Sequence, residues 1–392
     1  MNVDVNAVIN WMQAQRLVLG GSNVTIGFRD RAQELMNFIN DLSIGGVRVI
    51  YGPLGAGKTT LLSLLAKALR VVNADIAVIY VNYERKVTDV IMPEPLSVSG
   101  LVNELVSKVM ASIMGVTVGV GQVIELAKAL WSYVRELRGI NDVLVIHDDL
   151  DRWFISSGIG RNAVQELIAM YAGEFEGRPL GESPWGGKYV KVIISVSDQL
   201  AVELAWRYRG KGGLMPMLLW NLPHDPFLEV INEVRAQLPS GPAIDPEVLW
   251  RLLGGNVRAL ADLAINYGWD VASWLDGVIR HVRDLIYRET QLLNLPDAQS
   301  LIARVRSRVE DPRPDDLVYD ALMAREPLIE DNVLMHILGR PLAQLPSEDW
   351  VGNDYAYQLP AYYWVLKAMI GKESMMITGT DVVNELMRNL RR

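Results

Sequence analysis

Five short apolar runs punctuate the first 220 positions of the chain, and each has the length and composition of a buried strand. Segments with leucine and alanine at helical spacing separate most of these runs. Such alternation predicts a parallel sheet with helices on both faces, which is an α/β fold. Ligands bind such sheets at the carboxyl ends of the strands. The predicted strands are residues 47–51, 76–82, 142–147, 189–197 and 216–220.

Two changes of pattern divide the rest of the chain. From about His224 to Arg288 the apolar positions recur at helical spacing, and near residues 309–317 proline and acidic residues cluster. These changes predict three domains: a core over residues 1–222, a helical lid domain over 223–308 and a helical or winged-helix-like domain over 309–392.

Composition narrows the possible chemistry. The 392 residues contain no cysteine, which excludes disulfides and thiolate metal sites. The formal net charge of −8 argues against a general nucleic-acid coat. Residues 291–392 carry eleven Lys and Arg against fifteen Asp and Glu, so we expect a protein partner there; DNA is possible but not favoured.

Targeting signals are not evident in the chain. The N-terminus lacks the basic start and apolar core of a signal peptide. The best membrane candidate, residues 109–124, is shorter than a spanning helix needs and is predicted to be a buried helix and turn. A cytoplasmic protein without membrane insertion is the expectation.

A phosphate-binding loop follows the first predicted strand. The sequence GPLGAGKT, Gly52 to Thr59, fits G-x-x-x-x-G-K-[ST] and leads into a leucine-rich helical pattern. Its glycines allow successive N–H groups to face phosphate oxygens, and the helix start adds a positive dipole end. The predicted contact residues are Gly52, Pro53, Leu54, Gly55, Ala56, Gly57, Lys58, Thr59 and Thr60.

The loop and a pair of aspartates together predict binding of Mg²⁺ and ATP. Lys58 is expected to reach the β- and γ-phosphates, while the Thr59 hydroxyl binds Mg²⁺. Asp148, at the end of the apolar run VLVI, is expected to hold the same Mg²⁺, and Asp149 to orient or deprotonate the attacking water. His147 occupies a strand position and is predicted to be a core histidine rather than a ligand.

These motifs, with four further stretches, resemble the archaeal ATPase family of STAND/AAA+ P-loop NTPases, which is related to archaeal origin-recognition initiators. The resemblance covers roughly residues 20–290. The further stretches are FRDRAQELMNFI from Phe28, KVIISVSDQ from Lys191, LLWNLPHDPFLEVI from Leu218 and LLGGNVRALADLA from Leu252. The sequence departs from the family pattern at Val257, where proline is usual, and at Asp149, where motor ATPases commonly have glutamate.

The resemblance implies an additional-strand P-loop NTPase with strand order 5-1-4-3-2, a helical lid and a C-terminal winged-helix-like domain. It implies Ser197 or Asp198 as a γ-phosphate sensor and Arg258 as a lid arginine. It allows Asn82 to hydrogen-bond and restrain Asp149, although a polar residue that only marks the end of the strand is at least as consistent with the sequence. It also allows the turn from Trp206 to Lys211 to supply an arginine finger, although a solvated turn is slightly favoured. Candidates for the adenine and ribose side are Ile26, Gly27, Phe28 and Arg31.

Three functions remain open at this point. The leading hypothesis is an ATP-binding, Mg²⁺-dependent ATPase that works as a slow nucleotide switch for a protein partner. Asp149 is one methylene shorter than glutamate, which favours slow turnover. The alternatives are a DNA-binding, initiator-like ATPase and a nucleotide-binding scaffold that does not hydrolyse ATP.

Overall fold

The computed structural model describes most of the chain. The described residues are 3–41, 45–72, 75–85, 87–91, 103, 107, 120–150, 162–176, 185–196, 209–292, 294, 297, 299–303, 331–337, 339–353 and 355–390. Their helices are α1 (Val5–Gln13), α2 (Ala32–Asp41), α3 (Lys58–Val71), α4 (Val120–Glu136), α5 (Asn162–Glu174), α6 (His224–Gln237), α7 (Pro246–Leu253), α8 (Val257–Ala261), α9 (Val271–Leu292), α10 (Pro360–Lys372) and α11 (Gly379–Leu390).

The strands are β1 (Arg16–Val18), β2 (Thr25–Gly27), β3 (Gly46–Tyr51), β4 (Ile76–Asn82), β5 (Val87–Ile91), β6 (Asp142–Asp148), β7 (Tyr189–Ser195), β8 (Met215–Leu218), β9 (Leu334–His336), β10 (Arg340–Pro341) and β11 (Tyr355–Tyr357). A single π-helical turn, Asp262–Asn266, follows α8 directly.

Among the described residues, seven strands form the central sheet in the order β10-β8-β3-β7-β6-β4-β5. The five predicted strands occupy its middle as β8-β3-β7-β6-β4, all parallel to their neighbours. The predicted order 5-1-4-3-2 is therefore confirmed. Two edge strands were not predicted: β5 pairs antiparallel with β4, and the two-residue β10 pairs parallel with β8.

Burial explains why the central strands read as continuous apolar runs. Every residue of β3 and β4 is buried, because helices cover both faces of the sheet. One hydrophobic cluster joins α1, α2 and α3 to one face, and a second joins α4 and α5 to the other. The strands therefore hold the phosphate-loop segment and the aspartates at a fixed edge.

Helices α6 to α9 lie in the predicted lid and are called the lid below; they share a third hydrophobic cluster with the C-terminal helices α10 and α11. Within residues 309–392, predicted to form a helical or winged-helix-like domain, the aromatic-rich segment 355–370 contains β11 and most of α10. Residues around the predicted boundary at 308 lie outside the described part of the chain, so the domain limits stay predictions. No helix in the described part has both the length and the apolar character needed to cross a membrane.

Candidate functional site

The glycine loop connects β3 to α3, as the sequence predicted. A Cβ atom placed on Gly52 would lie 1.9 Å from the carbonyl oxygen of Leu219, so only glycine fits this close approach of two backbones. Gly57 caps α3 in a left-handed conformation and supplies no side chain to its first turn. The N–H groups at the start of a helix point away from it, and such helix starts commonly bind anions.

Lys58 lies inside the loop rather than in solvent. Its side chain is buried, and its ammonium donates to the carbonyl oxygens of Gly52 at 2.9 Å and Pro53 at 3.2 Å. The loop backbone thus holds a positive charge at the point where the motif requires one.

Thr59 connects the loop to the two aspartates. Its hydroxyl donates to Oδ2 of Asp149 at 2.9 Å and lies 3.4 Å from Oδ1 of Asp148. The strands place these groups together, because β3 and β6 both flank β7 and end at the same edge of the sheet. One hydroxyl and two carboxylates therefore converge beside the first turn of α3.

Asp148 is fully buried and held by three neutral donors. Ser195 donates to Oδ1 at 2.8 Å, while Tyr80 and Asn82 donate to Oδ2 at 2.7 and 3.0 Å. Burial raises the pKa of Asp148, and the neighbouring charge of Asp149 raises it further, against the opposing effect of these hydrogen bonds. A cation at this position would relieve both unfavourable effects.

The predicted restraint of Asp149 by Asn82 is wrong. In the pairing of β4 with β6, Asn82 lies opposite Asp148, and its side-chain amide donates to that carboxylate. Asp149 is one position beyond the paired residues and has a left-handed backbone with φ of 55°. The turn after the strand carries Asp149 away from Asn82 and towards Thr59.

His147 is a core residue, as predicted. Its side chain is fully buried, with Nδ1 2.7 Å from the hydroxyl of Tyr83 and Nε2 2.9 Å from that of Tyr171. Burial lowers the pKa of His147 to about 3, so the ring is neutral at physiological pH.

A cavity of about 1070 Å³ opens from the loop towards the lid and the C-terminal segment. Ile26, Gly27 and Phe28 line it from β2 and the residue after it. Val257 and Ile265 line the cavity from the lid. Three of the residues predicted for the adenine and ribose side therefore line one cavity together with residues of the phosphate loop.

Arg31 lines the same cavity, but its guanidinium supports the protein backbone. It is buried and donates to the carbonyl oxygens of Ala56 at 2.8 Å and Trp220 at 2.9 Å, and it pairs with Glu34 at 2.7 Å. The side chain thus ties the glycine loop to the segment after β8, and we expect it to shape the loop.

Arg258 lies over the loop from the lid. It is exposed, it lines the cavity, and its methylenes cover Gly55 so closely that a Cβ on that glycine would lie 2.6 Å from the arginine Cβ. The neighbouring Asn256, which the sequence analysis did not select, caps α8 and donates to the carbonyl oxygen of Leu54 at 2.9 Å. The lid therefore contacts the loop directly.

Several predicted residues have no described position. Ser197 and Asp198 lie outside the described residues, as do Trp206 to Tyr208 of the predicted arginine-finger turn. Of that turn, Lys211 begins a short 3₁₀ helix whose last residue, Gly213, lies close to Gly45 at the start of β3. This is the edge of the sheet opposite the phosphate loop.

Two residues at the site, Ser195 and Arg85, were not predicted from the sequence. Ser195 ends β7 and binds Asp148, a position that strand alignment across the sheet would have indicated. Arg85 follows β4, is exposed and lines the cavity together with Gly57, Thr60 and Arg258. In the sequence, Arg85 can be recognised as a basic residue just beyond the end of a central strand, at the edge of the sheet where ligands bind.

The donor set fits Mg²⁺. Hydroxyl and carboxylate oxygens are the ligands this ion prefers, and it ordinarily takes one or two carboxylates while substrate phosphates complete its shell. In the described part of the chain, no three His, Asp or Glu side chains form a cluster that would enclose a metal by themselves. Thr59 and Asp148 are the groups that would hold the ion, and the Asp149 carboxylate lies beside them.

Comparison with solved structures finds similar proteins of low sequence identity. The Walker-type ATPase PABY2304 of Pyrococcus abyssi is 13% identical, with 87% of this chain and 96% of that chain covered and a TM-score of 0.47. The ORC2 protein of Aeropyrum pernix, in ADPNP–ADP complexes, is 14% identical, with coverages of 90% and 97% and a TM-score of 0.36. Cdc6p from Pyrobaculum aerophilum is 15% identical, with coverages of 90% and 97% and a TM-score of 0.38.

Sequence comparison gives a more direct result. No curated protein matches the chain. A family model described as an ATPase domain predominantly from Archaea matches residues 28–263, which is more than half of the chain and includes the glycine loop, both aspartates and the first lid helices. The chain therefore belongs to this family of ATPase domains, found predominantly in Archaea.

Proposed function

We propose that this protein binds ATP with Mg²⁺, hydrolyses it slowly and uses the nucleotide as a switch for a protein partner. One observation carries the proposal: the Thr59 hydroxyl lies within 3.4 Å of two buried carboxylates, at the first turn of a helix that follows a glycine loop. Family membership supports nucleotide binding and ATPase chemistry in general. Hydrolysis by this chain, its rate and its partner are the proposed part.

The side chains divide the work by position. Lys58 would exchange its bonds to loop carbonyls for phosphate oxygens, and Thr59 and Asp148 would hold Mg²⁺. Bound Mg²⁺ neutralises charge on the β- and γ-phosphates. Asp149 would hold and orient the attacking water, once its carboxylate no longer accepts from the Thr59 hydroxyl.

The same geometry supports the proposal of slow turnover. The Asp149 carboxylate is short, and its turn conformation directs it to Thr59 rather than into the cavity. A rearrangement of this turn must precede water activation, so a partner that shifts it would control the rate. The excess of acidic over basic residues in 291–392 favours a protein as this partner over duplex DNA.

Two substitutions test the assignment. Lys58→Ala removes the positive charge from the loop, so we expect it to abolish the rise in melting temperature that Mg²⁺ and ATP produce. Asp149→Asn should preserve this rise and reduce phosphate release to background. Unchanged ATP affinity in the Lys58→Ala protein would contradict the phosphate-site assignment, and unchanged turnover in Asp149→Asn would contradict the role of that carboxylate.

The partner class has a separate test. The Asp149→Asn protein, held in its ATP state, should retain a protein partner in a pull-down that the Lys58→Ala protein does not retain. Random duplex DNA should not bind at low salt. Tight binding that weakens steeply as salt rises would instead indicate an initiator-like DNA-binding protein.

A further inference from the structure

Three amide side chains from different parts of the fold meet at one residue of the phosphate loop. Asn221 lies in the segment after β8, Asn256 caps the lid helix α8, and Gln358 lies between β11 and α10 of the C-terminal segment. All three are 3–4% exposed. The residue they surround is Leu54, and the four residues are called the amide ring below.

The hydrogen bonds of the amide ring form a closed circuit. Gln358 Oε1 accepts from the backbone N–H of Leu54 at 2.8 Å, and Asn256 Nδ2 donates to the carbonyl oxygen of Leu54 at 2.9 Å. Asn256 Nδ2 also donates to Asn221 Oδ1 at 3.2 Å, and Asn221 Nδ2 donates to the carbonyl oxygen of Gln358 at 3.3 Å. Outside the circuit, Gln358 Nε2 donates to Asn332 at 3.0 Å.

The backbone N–H and carbonyl oxygen of Leu54 are thus hydrogen-bonded to two different regions, the C-terminal segment and the lid. Buried amides that lose their partners are costly, so the ring is stable only when core, lid and C-terminal segment are all in place. The next loop residue, Gly55, packs closely against the lid: a Cβ on it would lie 2.6 Å from the Cβ of Arg258 and 2.7 Å from Oδ1 of Asn256. A change of the loop backbone therefore cannot be confined to the core.

We propose that the amide ring is the link through which the C-terminal segment responds to nucleotide, with Gln358 as the positioning residue of the phosphate loop. The inference rests on the proposed function, because it assumes that phosphates occupy the loop. Bound phosphates fix the loop backbone and thereby fix the acceptor and donor positions that Gln358 and Asn256 need. By reciprocity, the docked C-terminal segment preorganises the loop for phosphate.

Hydrogen exchange with and without ADP and Mg²⁺ tests the link. In the parent protein, ADP is expected to slow amide exchange in α10 by about tenfold, within the usual range of coupling between sites. Gln358→Met keeps the size of the side chain but removes its acceptor and donor. It should still bind ADP, with affinity reduced about tenfold, and α10 should no longer respond to the nucleotide.

A matched control removes a different amide contact between the same two regions. Asn37 in α2 donates to the carbonyl oxygen of Leu342 at 2.8 Å, and neither residue lines the cavity or belongs to the amide ring. Asn37→Ala should lower stability slightly while leaving ADP affinity and the response of α10 intact. If Gln358→Met does not fold, Asn332→Gly provides the test, because Asn332 orients Gln358 and has a φ of 60° that glycine adopts readily.

The outcomes separate the two proposals. A parent protein that binds ADP without any change of exchange in α10 overturns the link and leaves the proposed function standing. Retention of the full response in Gln358→Met, or in Asn332→Gly where that variant replaces it, also overturns the link. A parent protein that binds no nucleotide overturns both.

Discussion

At the scale of single residues, the Asp148 carboxylate affects both the stability of the folded state and the proposed binding of Mg²⁺. The carboxylate is buried next to a second carboxylate, and its only described hydrogen-bond donors are neutral hydroxyl and amide groups. Such a site disfavours the ionised form, and a cation would favour it. Without a cation, the group that would hold the metal weakens the folded state at neutral pH.

Asp148→Asn should therefore stabilise the nucleotide-free protein and abolish stabilisation by Mg²⁺ and ATP. The side-chain oxygen of the new asparagine can accept from Tyr80 and Asn82, and its NH₂ group faces the Ser195 hydroxyl. The substitution also removes the charge repulsion with Asp149. We expect a gain of about 1–2 kcal/mol in the free energy of unfolding, measured in urea without nucleotide. A loss of stability would show that the ionised carboxylate is already satisfied.

Arg85 gives a second prediction at this scale. It is exposed at the cavity wall and makes no ion pair with another described side chain. Arg85→Ala should reduce ATP turnover about 10- to 100-fold while ADP affinity changes little, because charge develops on the γ-phosphate in the transition state. Equal losses of ADP and ATP binding would show a general role in nucleotide affinity.

At the scale of elements, the glycine loop and the lid helix α8 have a fixed spacing. Gly55 has a φ of 92°, and an added Cβ would lie 2.6 Å from the Cβ of Arg258 and 2.7 Å from Oδ1 of Asn256. The contact is between two elements, so the smallest added group must separate them. This spacing is a property of the closed lid and not of the loop by itself.

Gly55→Ala should accordingly open the lid. We expect faster proteolysis of the lid segment and at least about tenfold weaker ATP binding, with the strained backbone contributing to both effects. Gly173→Ala is a suitable control, because a Cβ at that position in α5 would meet no atom within 4 Å. Normal ATP affinity in Gly55→Ala would show that the lid closes without this contact.

The strand β6 carries a pH-dependent contribution to stability through His147. Its pKa is about 3 in the folded protein and about 6.5 when the residue is exposed. Between these values the unfolded state binds more protons, so stability falls as pH decreases, by about 1.4 kcal/mol per pH unit. Below pH 3 both states are protonated and this dependence ends.

His147→Gln should flatten this dependence relative to the parent protein. Urea unfolding from neutral to acidic pH gives the free energy of unfolding of the parent and of the variant. The difference between the two curves isolates the effect of His147, because the carboxylates contribute equally to both. We expect the variant to be the less stable protein at neutral pH, because the ring packing against Tyr83 and Tyr171 is lost. Parallel curves would show that His147 binds its proton equally well in the folded and unfolded states.

At the scale of the whole molecule, the C-terminal segment completes the core. The strand β10 adds to the open edge of β8, the N–H of Leu342 donates to Leu218, and the Leu342 side chain packs in the same cluster as α1 to α3. Core and C-terminal segment thus share both a sheet edge and apolar surface. We expect them to unfold together.

Leu342→Ala tests this cooperativity. The side chain is 1% exposed, so truncation should cost about 2–5 kcal/mol and shift a single unfolding transition of the whole chain. Leu390→Ala, at a 42% exposed position in α11, should change stability by less than about 0.5 kcal/mol. Two separate transitions, with only one shifted, would show that the segment is an independent unit.

The sequence by itself determined the central strands, the glycine loop and the chemical identity of the site. Fully buried parallel strands are mostly apolar, and phosphate binding requires glycines, lysine and threonine at fixed spacing, so both features can be recognised in a short stretch of sequence. The order of the strands came from family resemblance rather than from periodicity. His147 could also be assigned from its strand position alone.

Only the tertiary structure decided which groups meet. Asn82 faces Asp148 rather than Asp149 because of strand register, and Asp149 turns to Thr59 because of its backbone φ. The amide ring joins positions about 300 residues apart. A two-residue strand such as β10 has no periodicity, and an isolated asparagine or glutamine has no signature, because their roles depend on partners that chain folding brings to them.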